Sequence, residues 1–335
     1  MTLPRMIEYS PELVGLLDDA TAALNRLGGA GRFISNVELL ASPYMRLEAV
    51  HSSRLDGTNA TIADLLRFEA GDRSDIDENH DVQQVQNYAD ALDYGIERLS
   101  DGSTVNLELL RDIHERLMAG TGTDTDTAAA LPTPEMADAL SDLESFLQER
   151  SMPFLIQLAL AHHQFAVIHP FPEGNGRLAR LLIPLVMVER GVLPEPMLHL
   201  SVYFERNRGR YSELLTSTSR TGDIDPWLQF FLRGVAEQAA DAEARMVGLA
   251  ELQAAQHDEL RADSASTNVV RAAEHLLTTP YVSATSLTTG LGVTFPTAQA
   301  CIKTLVKRGT LVELTGAKRN RIYYAEAIFH AVYTD

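Results

Sequence analysis

The chain has 335 residues, of which 45% are hydrophobic and 22% charged, which is typical of a folded protein with two or three domains. A formal net charge of −18 excludes general binding to nucleic acid or to an anionic membrane over the whole surface. The single cysteine excludes an intrachain disulfide. No apolar run is long enough to span a membrane, and the N-terminus lacks the apolar core of a signal peptide. We therefore expect a cytoplasmic protein.

The charge is unevenly distributed along the chain. From Ser264 onward there are seven Lys or Arg and four Asp or Glu residues, a local charge of about +3, which leaves about −21 on the preceding residues. The C-terminal part is therefore expected to be a separate unit.

Apolar residues at helical spacing predict that most of residues 10–260 form α-helices. In the first helix the apolar stripe extends from Leu13 to Leu27, and the pair Gly28-Gly29 is predicted to end it. Further helices are predicted at 61–68, 82–98, 106–118, 135–148, 154–167 and 226–260.

A loop is predicted at residues 119–134, which are small and polar without periodicity. The Asp-x-Asp sequence in this loop lacks the glycine and the distal glutamate of a calcium-binding loop, so calcium binding is not expected.

A Gly-Asn-Gly turn, formed by Gly174, Asn175 and Gly176, directly precedes an apolar helix. Backbone N–H groups of such a turn can all point at one anion, and the positive end of the helix dipole adds to the attraction. Arg177 and Arg180 lie three residues apart and so share one face of the helix. This arrangement predicts a binding site for more than one phosphoryl group.

Two residues before the turn complete a set that suits phosphoryl or nucleotidyl transfer. His169 is a candidate general base near neutral pH, and Glu173 offers a hard oxygen ligand for Mg²⁺. Singly, each of these residues is more often structural. Their occurrence together within twelve residues favours the functional interpretation.

The last seventy residues predict two short helices, at SATSLTTGLG and TFPTAQACIKTLVKRG, followed by two strands around Gly316. Thr294 is the expected N-cap of the second helix, with Pro296 in its first turn. Helix, turn, helix and hairpin is the pattern of a winged helix. Its candidate nucleic-acid contacts are Thr297, Gln299, Ala300, Lys303 and Lys307 on the helix, and Lys318, Arg319 and Arg321 at the wing.

Two interpretations of this module stay open. DNA binding is one, and protein docking or support of a dimer is the other. The local charge is modest for DNA, and the negative remainder of the chain would repel it. Cys301, His162 and His163 lie on apolar helix faces and are interpreted as core residues.

The sequence HPFPEGNGRLAR resembles the Fic motif, His-x-Phe-x-(Asp/Glu)-Gly-Asn-Gly-Arg-x-x-Arg, at every defined position. The resemblance implies a protein adenylyltransferase, which transfers AMP from ATP to a hydroxyl side chain of a target protein with Mg²⁺ as cofactor and pyrophosphate as leaving group. By the resemblance, His169 takes the hydroxyl proton, Glu173 holds Mg²⁺ and Phe171 anchors the loop. The resemblance also implies that Arg180 meets the γ-phosphate and that the phosphates are bound by Arg177 and by the turn of Gly174, Asn175 and Gly176.

Residues 200–215, LSVYFERNRGRYSELL, resemble the helix that helps to close the nucleotide pocket in this family. Asn207 and Tyr211 lie four apart, so both can face the adenine and ribose, although Tyr211 also suits the core.

Far upstream, Ser52-x-x-x-Asp56-Gly57 is similar to the inhibitory pattern (Ser/Thr)-x-x-x-Glu-(Gly/Asn) of many Fic proteins, with aspartate in place of glutamate. In the absence of the resemblance, these residues would suggest a helix end and a turn. The resemblance implies that the Asp56 carboxylate pairs with Arg180 and keeps it from the γ-phosphate. Because aspartate is one methylene shorter, we expect a longer, water-mediated or weaker pair and leaky inhibition.

The family pattern is broken at 119–134, where related proteins carry a longer flap that holds the target beside the active site. The usual flap tryptophan is missing, since the one tryptophan of the chain is Trp227. Target docking is therefore the uncertain part of the resemblance.

We predict a mainly α-helical protein that binds ATP and modifies a Ser, Thr or Tyr hydroxyl of a target protein, with auto-modification and a homodimer as further expectations. The alternatives are removal of AMP from a target by the same site, and a DNA-binding regulator whose Fic site senses nucleotide without turnover. The predicted domains are an N-terminal region with the inhibitory motif at 52–57 (1–105), a catalytic core with the motif at 169–180 (106–240), a connecting helix (241–264) and a winged helix (265–335).

Overall fold

The computed structural model describes residues 3–33, 37–71, 80–121, 133–316 and 320–333. This part of the chain consists of helices and one small sheet, which confirms the predicted mainly α class. The first eight helices are α1 Pro11–Phe33, α2 Val37–Leu55, α3 Ile62–Glu69, α4 Asp81–Ser100, α5 Leu107–Met118, α6 Pro134–Gln148, α7 Phe154–Ile168 and α8 Asn175–Glu189. The remaining elements are α9 Leu200–Arg206, α10 Arg208–Thr221, α11 Asp225–Ala262, α12 Thr267–Thr278, β1 Tyr281–Val282, α13 Ala284–Leu291, α14 Phe295–Lys307, β2 Val312–Glu313, β3 Tyr323–Tyr324 and α15 Glu326–Tyr333.

Helix α1 does not end at Gly28-Gly29 as predicted but continues to Phe33. The helix packs along α11, and this tertiary contact outweighs the cost of about 1 kcal/mol that each glycine adds to a helix. Gly28 also has a packing role, because a Cβ there would lie 3.3 Å from the carbonyl oxygen of Val192.

Helices α7 and α8 form the centre of the molecule. Both are buried on nearly all sides, as expected for helices that are apolar all round. Trp227 at the start of α11 packs on this pair, and its indole N–H donates to the carbonyl oxygen of Ala159 in α7 at 2.9 Å. The short connection from α7 to α8, residues 169–174, contains the Gly-Asn-Gly turn's first glycine and lies between two rigid elements.

The segment 200–215 is not one helix. It breaks at Asn207, which ends α9 and precedes α10 with φ −111° and ψ 31°. Helix α11 is continuous over 38 residues, so the predicted boundary between core and connecting helix at 240/241 lies within one element.

The C-terminal elements follow the predicted order, with the addition of α12 and β1 before α13 and of α15 at the end. The three strands form an antiparallel sheet in the order β1-β3-β2. Thr294 and Pro296 begin α14 as predicted, and Cys301 is buried. Arg321 pairs with Glu313, whereas Lys318 and Arg319 lie outside the described residues.

Most of the predicted loop at 119–134, including its Asp-x-Asp sequence, also lies outside the described residues. Its end is described, where Thr133 caps α6 by accepting from the backbone N–H of Met136 at 3.3 Å. Among the described residues, none of the helices combines the length and the apolar character that crossing a bilayer requires.

Candidate active site

A cavity of about 630 Å³ brings the two sequence motifs together, although more than one hundred residues separate them. The end of α2, the connection from α7 to α8, the first turns of α8 and one face of α10 form its walls. A larger cavity, about 1040 Å³, lies between the end of α3 and the C-terminal elements, but the motif residues do not line it. The smaller cavity is lined by Leu55, Asp56, Gln84, Ala166, His169, Pro172, Glu173, Gly174, Asn175, Gly176, Arg177, Arg180, Arg208, Tyr211, Ser212 and Leu215.

Asn175 holds the connecting loop in shape. Its side-chain oxygen accepts from the backbone N–H of Phe171 at 2.9 Å, and its amide nitrogen donates to the carbonyl oxygen of Phe171 at 2.6 Å. The same amide nitrogen lies 3.1 Å from Nδ1 of His169. An amide nitrogen can only donate, so Nδ1 accepts and the neutral ring carries its proton on Nε2.

His169 is exposed at the cavity and has an unusual backbone. It ends α7 with φ 52° and ψ 57°, in the left-handed region that is rare for residues other than glycine. Such backbone strain is often found at functional sites, and here it directs the imidazole out of the helix and towards the cavity.

The two glycine positions of the turn each require glycine, but for different physical reasons. Gly174 precedes α8 with φ +77°, and a Cβ there would also lie 2.9 Å from Sδ of Met118. Gly176 is limited by space: its Cβ would lie 2.6 Å from Oδ1 of Asp56 and 3.0 Å from Nη1 of Arg180. The absence of side chains at Gly174 and Gly176 thus allows a negatively charged group to approach the N-terminus of α8.

Arg180 is 2% exposed and is held by the upstream motif. Its Nη2 donates to Oδ1 of Asp56 and to the carbonyl oxygen of Ser52, both at 2.8 Å, and its Nε donates to Oγ of Ser52 at 2.7 Å. Although burial alone would lower the pKa of Arg180, the Asp56 carboxylate raises it above its usual value. Gly57 follows with φ +108° and turns the chain away from α2 directly after Asp56.

This contact is direct, whereas the sequence predicted a longer or water-mediated pair. A single carboxylate oxygen makes the hydrogen bond, so the pair is not bidentate, and Ser52 accepts from Nε and from Nη2 of Arg180. Oδ2 of Asp56 lies 3.6 Å from Nε of Arg177, so one carboxylate faces both arginines. Close approach of the backbone at Gly176 compensates for the missing methylene.

Arg177 is 5% exposed, and its guanidinium is incompletely paired. Nη2 contacts Sδ of Met118 at 3.6 Å, while Nε and Nη1 are buried with no hydrogen-bond partner among the described residues. Burial lowers the pKa of this guanidinium, and nearby Arg180 lowers it further. Buried donors without acceptors are costly, so this corner favours a ligand with more acceptor oxygens than one carboxylate offers.

Glu173 is exposed at the mouth of the cavity. Within the described ranges there is no cluster of three or more His, Cys, Asp or Glu residues that could hold a metal ion. This donor set fits Mg²⁺, which commonly binds one or two carboxylates and takes its other ligands from phosphates and water. It does not fit an ion that requires a cage made wholly of protein ligands.

Tyr211 lines the cavity, as predicted, and its hydroxyl lies 3.0 Å from Nε2 of the buried His162. Asn207 is not among the residues that line the cavity, and its amide nitrogen donates to the carbonyl oxygen of Tyr203 at 2.9 Å. The helix break at Asn207 places Arg208 at the cavity instead, and Arg208 donates to the carbonyl oxygen of Leu55 at 3.1 Å.

Sequence reasoning missed three positions near the site. Arg208 and Gln84 line the cavity, and His114 supports the motif loop from behind through the carbonyl oxygen of Glu173. In the sequence, His114 falls on the apolar face of α5. The presence of a histidine among apolar residues is the signal that could have suggested a role.

Two protein-family models match the chain: the Fic/DOC family N-terminal model at residues 14–97 and the Fic/DOC family model at residues 104–187, together about half of its length. The protein adenylyltransferase fic-1 of Caenorhabditis briggsae is 31% identical over 114 residues, which cover 33% of this chain and 20% of the relative. The protein adenylyltransferase Fic of Nematostella vectensis is 37% identical over 84 residues, covering 25% of this chain and 18% of the relative. The chain thus spans about a fifth of the length of these curated relatives.

Similarity to solved structures extends further along the chain. A Fic family protein from Desulfovibrio desulfuricans G20 matches with a TM-score of 0.57 at 18% identity, covering 95% of this chain and 97% of that chain. Fic-1 from Caenorhabditis elegans matches with a TM-score of 0.58 at 21% identity, covering 71% and 73%. These likenesses confirm the helical Fic fold.

Proposed function

Because this chain belongs to the Fic/DOC family, we propose that it is a protein adenylyltransferase that transfers AMP from ATP to a Ser, Thr or Tyr hydroxyl of a target protein, and that Asp56 inhibits it. The observation that carries the proposal is the convergence of two buried arginines and a helix N-terminus with glycine at position 176 on one carboxylate. A carboxylate in that position takes the place of a phosphate group, so the same donors suit the phosphates of ATP.

In the proposed reaction the hydroxyl oxygen of the target forms a bond to the α-phosphorus of ATP, and the bond from that phosphorus to the pyrophosphate oxygen breaks. The hydroxyl proton passes to His169. In the tautomer set by Asn175 the free electron pair of the ring is on Nδ1, so either the target hydroxyl displaces the Asn175 amide there or the ring changes tautomer. The start of α8 and Arg177 bind the negative charge of the phosphates throughout.

Mg²⁺, the cofactor we propose, would be held by Glu173 and by phosphate oxygens and would neutralise charge that develops on the leaving pyrophosphate. The support from this chain is the single exposed carboxylate beside a cavity whose other polar walls are arginines and backbone.

Inhibition follows from competition for Arg180. While Nε and Nη2 of Arg180 are bound to Ser52 and Asp56, these donors do not bind a γ-phosphate, and the Asp56 carboxylate adds negative charge where the phosphates enter. ATP is then either excluded or bound with its α-phosphate away from the line of attack.

The test is mass spectrometry of the Asp56→Gly protein incubated with ATP and Mg²⁺, alone and with a cell lysate. We expect a mass gain of AMP on the protein itself or on a lysate protein, and no gain with Asp56→Gly/His169→Ala. A gain equal to one phosphate, or no gain in either incubation, would contradict adenylylation.

A further inference from the structure

Helix α5 supports the motif loop on the side away from the cavity. His114 of α5 is 2% exposed, and its Nε2 lies 2.9 Å from the carbonyl oxygen of Glu173. Its ring is stacked on Phe171, with ring centroids 3.8 Å apart and planes 11° from parallel. Neither contact belongs to the catalytic motif's own network around Asn175.

The direction of the hydrogen bond is fixed by its acceptor. A carbonyl oxygen can only accept, so Nε2 of His114 carries the proton and donates it. Nε2 donates in the same way in the neutral ring with its proton on Nε2 and in the charged ring. The bond is therefore a constant feature of the folded protein.

That bond determines where the next backbone N–H points. The peptide unit between Glu173 and Gly174 is planar and trans, so its C=O and N–H groups point in opposite directions. The carbonyl is directed towards α5, and the N–H of Gly174 is therefore directed away from α5. Glu173 and Gly174 line the cavity whereas His114 does not, so the opposite side is the cavity.

We propose that His114 is a positioning residue, which holds the Glu173–Gly174 peptide so that the N–H of Gly174 is a fixed donor for a phosphate oxygen. The inference rests on the proposed function only in requiring that ATP binds in this cavity. Without the bond, a peptide next to a glycine with φ +77° can rotate, and the N–H loses its fixed direction. Its role is to prepare the anion site before the ligand arrives.

Two substitutions separate the hydrogen bond from the stacking on Phe171. His114→Gln retains an N–H donor of similar reach and loses the ring, and His114→Phe retains the ring and loses the donor. Both are made in the Asp56→Ala protein, so that Asp56 does not compete with the ligand. His275→Asn is the matched control, because His275 is also packed in the interior but lies in α12, remote from the cavity.

Binding of a non-transferable ATP analogue is measured by calorimetry, with the melting temperature of each variant as the control for folding. We expect His114→Phe to bind about ten- to a hundredfold more weakly, the effect of one hydrogen bond to a charged group, and His114→Gln to stay within about threefold of the parent, as does His275→Asn. In transfer assays, the loss should be found in KM for ATP and not in kcat.

The inference is overturned if folded His114→Phe binds the analogue as the parent does, or if His114→Gln is as weak as His114→Phe. An amide NMR spectrum gives a second readout: the Gly174 signal should shift strongly on adding the analogue to the parent and to His114→Gln, but not to His114→Phe. Binding without any AMP transfer in the parent would contradict the proposed function and leave this inference intact.

Discussion

At the scale of single residues, one carboxylate faces both arginines of the site. Asp56 binds Arg180 directly and faces Arg177 at 3.6 Å, with 28% of its side chain exposed. The contact is short because Gly176 allows it, so the shorter aspartate is not by itself a reason for weak inhibition. In the proposed function, the group that these two buried arginines bind decides whether the site is inhibited or ready for ATP.

We therefore expect Asp56→Ala to bind ATP about tenfold or more tightly than the wild type, because a charge-assisted hydrogen bond of about 1.5–3 kcal/mol no longer competes with the phosphates. Asp56→Asn, which retains the shape and loses the charge, should fall between the two. Calorimetric titration with ATP measures all three. Equal affinities would show that Asp56 does not restrain the site.

A second prediction concerns pH. Burial lowers the pKa of His162 from 6.5 to about 3. The unfolded chain therefore takes up the proton first, and the free energy of unfolding falls as the pH drops from 6.5 towards 3. Between pH 7 and pH 5 this residue alone should remove about 2 kcal/mol of stability.

Urea unfolding of the wild type and of His162→Gln at both pH values tests this. Glutamine can hydrogen-bond to the same neighbours, the carbonyl oxygen of Ala179 and the hydroxyl of Tyr211, without titrating. Between pH 7 and pH 5 the His162→Gln protein should therefore lose about 2 kcal/mol less stability than the wild type. The same loss in both proteins would show that His162 titrates normally.

Residues whose chemistry depends on a fixed spacing were predictable from the sequence. His169, Glu173 and both arginines of the motif line one cavity, and Asp56 of the upstream pattern is hydrogen-bonded to Arg180, while the roles of these residues stay predictions. His114 was not predictable, because its role depends on which peptide of another segment lies against α5. Orientation across elements is a tertiary property that periodicity does not contain.

At the scale of elements, the start of α8 is where the proposed function has the Asp56 carboxylate and the phosphates of ATP compete for the same space. A Cβ at position 176 would lie 2.6 Å from Asp56 and 3.0 Å from Arg180. The groups that lie against the N-terminus of α8 therefore require glycine at position 176.

Gly176→Ala should accordingly displace Asp56 from Arg180 but fail to activate the protein, because the same methyl group blocks the phosphates. We expect ATP affinity at or below that of the wild type, in contrast to Asp56→Ala, with stability reduced by about 1–3 kcal/mol through overpacking and the weakened ion pair. Calorimetry and thermal unfolding measure the two quantities. Activation by Gly176→Ala would mean that the phosphates bind elsewhere.

The elements also show where local sequence signals were insufficient. Helix α1 passes through Gly28-Gly29 because packing on α11 stabilises it, and the segment 200–215 breaks at Asn207 although its glycine, Gly209, lies within the following helix. The break determines the site, since it directs the amide of Asn207 to Tyr203 and places Arg208 at the cavity. Both outcomes depend on contacts between distant segments.

At the scale of the whole molecule, the C-terminal elements pack on the region that carries the inhibitory motif. Helix α12 contacts α2, and β1 contacts α3. Leu66 of α3 and Ala70, the C-cap of that helix, form a small apolar cluster with Tyr281 and Ile322, and Oγ of Ser283 donates to the carbonyl oxygen of Ala70 at 2.8 Å. The inhibitory segment is thus held from both sides, by the catalytic core and by the C-terminal module.

Leu66→Ala should weaken this hold. It removes a fully buried side chain, which costs about 2–4 kcal/mol, and should increase hydrogen exchange at residues 58–71 and raise ATP affinity while Asp56 is still present. Leu287→Ala, in the core of the C-terminal module, is the matched control and should lower stability without changing ATP affinity. A similar affinity change in both variants would show that loss of stability, and not the contact with α3, is responsible.

Whether the C-terminal module binds DNA or another protein, and whether the chain forms a homodimer, remain predictions. The exposed face of α14 carries Gln299, Lys303 and Lys307, but also the apolar residues Phe295 and Val306, which are 48% and 38% exposed. A mobility shift of duplex DNA by the full chain would support the DNA-binding interpretation.

The central claim is AMP transfer by a site that Asp56 restrains, and the position of the label in ATP tests it most directly. The Asp56→Ala protein is incubated with Mg²⁺ and with ATP labelled at either the α- or the γ-phosphorus, beside the wild type and Asp56→Ala/His169→Ala. We predict that protein acquires the α-label but not the γ-label, more in Asp56→Ala than in the wild type, and not at all without His169. Transfer of the γ-label, or α-labelling that survives the loss of His169, would contradict the account.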